Sequence, residues 1–196
     1  TALQAQVNTN TTDITNNLSL FNSYKNKINQ FQENWTRSNI TSTVINSSPT
    51  ALTNLTNIIS GAGVVKLQTK RNNNGEALIN NPTLIPITNG WKLPILDMKV
   101  YKLDIRVGIT GSLSGNAGTS RELIVYLRRM SDNSIATNGG VIKINDNNFN
   151  GRGTTLFSYV LTENDTFITN GFYIDLLNNS GANLTLTSLN IFITGV

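Results

Sequence analysis

The chain has 196 residues, of which 38% are hydrophobic and only 13% charged, about half the roughly 25% typical of a globular domain. It holds neither histidine nor cysteine, which excludes disulfide staples, Cys/His zinc sites and triads built on histidine. Its 15 basic residues and net charge of +4 are scattered, unlike the basic stripe with stacking aromatics of a nucleic-acid binder, and no apolar run of about 18 residues offers a membrane-spanning helix.

Asparagine, about one residue in six, takes the place of charge. Its side chain closes turns and tolerates left-handed backbone, which suits turn-rich β-structure. The chain starts at Thr1, without Met or a signal peptide. A C-terminal piece of a longer protein is therefore expected, and an intact mass of 21.4 kDa for the natural protein would sink that expectation.

The first segment carries a heptad over residues 3–35. Val7, Ile14, Phe21, Ile28 and Trp35 hold one seam position, and Leu3, Asn10, Asn17, Tyr24 and Phe31 the other. Such seams make helices supercoil, and polar residues in them fix register and strand number at a cost in stability. The predicted trimer axis is Val7, Asn10, Ile14, Asn17, Phe21, Tyr24, Ile28 and Phe31. Asn and Thr are poor helix formers, so a β-spiral shaft stays open beside the coiled coil. Residues 36–62 read as an extended linker or shaft, ending at Gly61-Ala62-Gly63.

From Gly63 the period becomes two. Tyr101, Leu103, Ile105, Val107 and Ile109 alternate with Lys102, Asp104, Arg106 and Thr110, the mark of an antiparallel strand with one face on a core. Further strands are expected at 121–130, 141–144, 155–161, 167–169, 172–177 and 184–193, with shorter ones at 64–67, 84–87 and 91–96. Pro82, Pro86 and Pro94 confine the short ones to edges or bends. Leu184 and Leu186 are out of phase with Leu189, Ile191 and Ile193, which predicts a bulge around Thr187-Ser188. Residues 63–196 are thus expected to form a mainly β, antiparallel sandwich preceded by a stalk over residues 1–62.

The paired seam asparagines Asn10 and Asn17 resemble the polar-core stalk repeats of trimeric phage fibres and trimeric bacterial adhesins. The strand order resembles the TNF/C1q-like jelly roll: Tyr101 to Val107, then Leu123 to Leu127, then the Glu163/Asp165/Phe167 step into Gly171-Phe172-Tyr173-Ile174, and a last strand ending near Thr194. A jelly-roll head on such a stalk is similar to the vertex spikes of tectivirus-like, membrane-containing phages. The resemblance implies a homotrimer on the virion surface that contacts other capsid or vertex proteins and takes part in attachment to a host receptor or glycan. A bacterial surface adhesin, a spore-surface head and a carbohydrate-active tailspike enzyme are the alternatives.

Chemistry is sparse along the chain. Asp146, Asn148 and Asn150, followed by Gly151, match the first half of a calcium loop, but Phe157 stands where the bidentate Glu belongs. Glu163 and Asp165 are the carboxylates considered for acid–base work, with a solvated turn as the plain reading. Arg128 and Arg129 are neighbours on a strand and point to opposite faces, one expected in solvent and one in an interface. No enzyme activity, cofactor, nucleic-acid partner or membrane insertion is expected.

Overall fold

Alternation of apolar and polar residues needs one dry and one wet face, and the chain supplies them from two packed antiparallel sheets. The computed structural model describes residues 2–25, 28–41, 43–60, 64–72, 77–78, 84–93, 102–115, 122–144, 150–162 and 165–195. In chain order the elements are α1 (Ala2–Lys25), β1 (Ile28–Arg37), β2 (Thr43–Ile45), β3 (Leu52–Asn54), α2 (Leu55–Ser60), β4 (Val64–Asn72), β5 (Ala77–Leu78), β6 (Ile85–Ile87) and β7 (Gly90–Lys92). They continue with β8 (Lys102–Leu113), β9 (Glu122–Arg129), β10 (Ile135–Lys143), β11 (Asn150–Val160), β12 (Phe172–Asn179) and β13 (Leu184–Gly195).

The first sheet runs β11-β8-β13-β1-β4-β5, with β2 also on β13, and the second runs β10-β9-β12-β7-β6, with β3 also on β12. β10 turns back on β9. Outside that hairpin β11 returns to β8, β12 to β7, and β13 to β1. This nesting of antiparallel pairs, folded over into two layers, is a jelly-roll arrangement. Between the layers lie Leu103, Ile105, Val107 and Ile109 from β8 and Leu189, Ile191 and Ile193 from β13, against Leu123, Val125 and Leu127 from β9 and Ile174 and Leu176 from β12. Each such side chain, fully buried, contributes about 1.5–3 kcal/mol relative to exposure. A row of rings closes one end: Trp35, Trp91, Phe172, Phe167 and Tyr159, with successive centroids 4.8–6.1 Å apart.

The expected bulge is present, as the β13–β8 register slips between Leu186 and Ser188. Pro86 lies in β6 at the rim of its sheet, where a missing N–H is tolerated. Three expectations are corrected. Residues 28–35, read as the end of the heptad, form with 36–37 a strand in the middle of the first sheet, where Phe31 and Trp35 are buried in the core. Residues 43–45 and 52–54, read as linker or shaft, are β2 and β3, and α2 buries Leu55 and Ile59. Residues 167–169 form a turn instead of a strand, because Asn170 and Gly171 both donate amides to the Thr166 carbonyl.

Candidate functional site

Helix α1 is built from a sequence poor in helix formers, and its polar side chains bond within it. The hydroxyls of Thr9, Thr11, Thr12 and Thr15 donate to the carbonyls four residues earlier, at 2.9–3.1 Å. Gln4 donates to Asn8 and Gln6 to Asn10 across one turn. Every residue from Ala2 to Phe21 is exposed, with Val7 at 49%, Ile14 at 67% and Phe21 at 61%. Of the predicted axis residues, Val7, Asn10, Ile14, Asn17, Phe21 and Tyr24 lie in α1. Ile28 and Phe31 lie in β1, and the Phe31 ring is in the head core.

The carboxylate candidates fare differently. Glu163, Asp146 and Asn148 lie outside the described residues, and Asn150 begins β11 opposite Ser112. Asp165 is not solvated, as its side chain is 1% exposed. It accepts bonds from the Arg129 guanidinium at 3.0 Å, the Tyr159 hydroxyl at 2.7 Å, and the Thr162 amide and hydroxyl at 2.6 and 3.0 Å. Burial alone would raise its pKa, but these donors together hold it below the usual carboxylate value. Burial pushes the Tyr159 hydroxyl up to about 12, so it stays a donor. With its lone pairs occupied, Asp165 is a structural clasp at the end of the aromatic row and has no free oxygen for proton transfer. At the other end of the row, buried Glu33 accepts from the Trp35 indole and the Leu84 amide, both at 2.9 Å.

Arg128 and Arg129 do point apart, as adjacent strand residues must. Neither is left for solvent alone: Arg129 serves Asp165, while Arg128 donates to the Asn133 carbonyl and lies 3.6 Å from buried Asp175.

A polar groove of about 370 Å³ crosses the outer face of the first sheet. Its lining comes from the outward residues of four neighbouring strands: Asn34 and Thr36 on β1, Asn190 on β13, Arg106 and Gly108 on β8, and Arg152 and Thr154 on β11. Asn190 Nδ2 donates to Thr36 Oγ1 at 2.6 Å and to Asn34 Oδ1, and Thr36 donates to the same oxygen at 3.0 Å. Two registers bring these residues together: Gly108 faces both Thr154 and Asn190 across the sheet. None of them was singled out as a binding residue from the sequence. The only local signal was glycine at an outward position of an otherwise well-formed strand.

No family model matches the chain, and no curated protein matches it. Among solved structures, PRD1 vertex protein P5 is similar over 84% of this chain and 72% of its own, at 14% identity and a TM-score of 0.52. Murine APRIL aligns with 84% of this chain and 99% of its own, at 10% identity and a TM-score of 0.39. The chain therefore has a mainly β, antiparallel jelly-roll fold of the kind found in a viral vertex protein.

Proposed function

We propose that this chain is the outer part of a homotrimeric virion spike, in which α1 belongs to the stalk and the jelly roll is the projecting head. The spike takes part in host attachment, directly or by carrying a receptor-binding partner. The observation that carries the reading is α1 itself: a helix of 24 residues whose seam residues Val7, Ile14 and Phe21 are exposed, with Asn10 and Asn17 between them. Such a helix gains most of its stability from packing, and three copies would bury these side chains around one axis. The fold shared with PRD1 vertex protein P5 supports a virion location. Within this reading the protein assembles and binds and does not catalyse, and Asp165 is spent on structure.

Sedimentation equilibrium of the purified chain tests the assembly. A mass of three 21.4 kDa chains is expected, and a monomer at micromolar concentration overturns the reading. Antibodies raised against the head should decorate intact virions at discrete projections. Labelling of broken particles alone would remove the surface location.

A further inference from the structure

We propose that the outer face of the second sheet binds a neutral saccharide around Asp175, Arg128 and Tyr126. The inference rests on the attachment reading for its meaning, since it names the class of ligand that the head would take from a host surface.

The first reason is a carboxylate short of donors. Ile174 and Leu176 turn into the core, so Asp175 between them turns outward. Its side chain is nevertheless only 6% exposed, and it makes no hydrogen bond among the described residues. Its charged neighbour is Arg128, whose Nη1 stands 3.6 Å away, beyond direct hydrogen-bond reach. The other two nitrogens of that guanidinium, Nε and Nη2, are committed to the Asn133 carbonyl. Burial outweighs Arg128 and raises the pKa of the carboxyl, as expected where a buried charge meets too few donors. The carboxylate oxygens are not sealed in. Among the described residues, the fully buried side-chain polar atom left unbonded is the Trp91 indole nitrogen.

The second reason is what this pair selects. A carboxylate that lacks donors, beside a guanidinium nitrogen that lacks an acceptor, is matched by a hydroxyl, which both gives and takes. Neighbouring sugar hydroxyls would bridge the gap between the two side chains, as water bridges polar groups that stand too far apart to bond directly. The pair is also charge-compensated, so Arg128 opposes a cationic ligand and Asp175 an anionic one. A peptide strand fits less well. β12 is flanked here by β9 and β3, and the face of an interior strand has no free edge for main-chain pairing.

Third, apolar surface adjoins the polar pair. Tyr126 lies directly opposite Asp175, half-buried, and its hydroxyl has no hydrogen bond among the described residues. Its ring offers a flat apolar surface and its hydroxyl a further polar handle. One step along the same face, Leu52, Leu177, Ile124 and Val141 stand opposite one another across β3, β12, β9 and β10. At the usual strand spacing this row spans about 14 Å, long enough for the C–H faces of more than one sugar ring. Apolar surface with a few placed polar groups is the ordinary make-up of a small-ligand site.

Methyl-resolved NMR titration of the full chain with maltose, cellobiose, lactose and N,N′-diacetylchitobiose tests the proposal, with glucuronate and choline as charged probes. Saturable shifts on the methyls of Leu52, Ile124, Val141 and Leu177 are expected with at least one disaccharide. Asp175→Asn should weaken that binding about tenfold or more, as loss of a charge-assisted bond does. It should do so without lowering Tm at neutral pH, because the carboxylate makes no hydrogen bond that the amide would lose. Tyr126→Ala should weaken binding about tenfold, and Tyr126→Phe, which keeps the ring, should stay within about threefold of the unchanged chain. Absence of shifts with all four disaccharides overturns the proposal. So does tighter binding of glucuronate or choline than of any disaccharide, or full-strength binding by Asp175→Asn. A change of sedimentation mass in Tyr126→Ala would mean that a second copy covers this face, and also overturns it. A trimeric mass without sugar binding leaves the spike assignment standing, and sugar binding by a monomeric chain keeps the site while removing the spike.

Discussion

Asp165 and Asp175 are both buried on the same half of the head, and acid affects them in opposite senses. Donors from Thr162, Tyr159 and Arg129 outweigh burial at Asp165 and depress its folded pKa. Its stabilising contribution is present above the unfolded value of about 3.9 and disappears as pH falls through the folded one. At Asp175 burial outweighs the nearby Arg128 and raises the folded pKa. Protonation there favours the fold, so the cost of burying that charge is relieved as pH falls through the raised value. Melting scans from neutral pH to about pH 3 should therefore separate two variants. Asp165→Asn flattens the loss of Tm with acid, and Asp175→Asn steepens it. At neutral pH, Asp165→Asn should cost about 3 kcal/mol, roughly 10 °C in Tm, because Arg129 and Tyr159 lose their acceptor charge. Gly171 is a second sensitive position: its φ is +99°, and a Cβ would meet the Trp91 carbonyl at 2.6 Å. Gly171→Ala should lower Tm by several degrees, whereas Gly108→Ala should not.

Among the elements, the long alternating strands were legible because burial on one face writes a period of two directly into the residues, as in β8. The bulge in β13 was legible for the same reason, since inserting one residue flips the phase. β1 was misread because Phe31 and Trp35 are four apart. That spacing is even, so it places them on one face of a strand, and it also fits a heptad. What decides between them is pairing with β13 and β4, which lies far away in sequence. The groove was invisible for a related reason. Its lining becomes one surface only when the registers of four strands are known, and Arg106, Arg152 and Asn190 look like ordinary outward residues until then. Residues 3–21 are helical and exposed, as a seam awaiting partners would be, but the seam itself belongs to the proposed trimer. Removal of residues 1–25 should leave the Tm of the head within about 2 °C, since exposed side chains contribute little to its core. In the coiled-coil reading, Asn10→Ile with Asn17→Ile should raise the melting temperature of the stalk and broaden the distribution of oligomers in sedimentation velocity. That is the known trade of stability against specificity in a polar seam. Unchanged oligomers in this variant would remove the two asparagines from any role in strand number.

At the scale of the molecule, assembly and recognition multiply. In the spike reading a weak site on each head would act three times over, and three on one rod would gain from effective concentration, with avidity about 10²–10⁴ above a single site when geometry allows. Surface plasmon resonance on a chip coated with host cell-surface material should show that gain for the full chain and its loss for a chain lacking α1, with single-site affinity in solution unchanged. Equal retention of both would separate attachment from assembly.

The position of β1 has one more consequence, a mechanical one. The strand through which the head joins everything before it is an interior strand, bonded to β13 on one side and β4 on the other. Its ladder bonds lie across the strand axis. A pull that enters at Ile28 and is resisted at the far end of the sandwich therefore loads the whole row at once, in shear, and no single bond can be peeled before the next. The tether is sewn through the middle of the fabric instead of along its hem, and in the spike reading a tug on the head would be shared by two seams together.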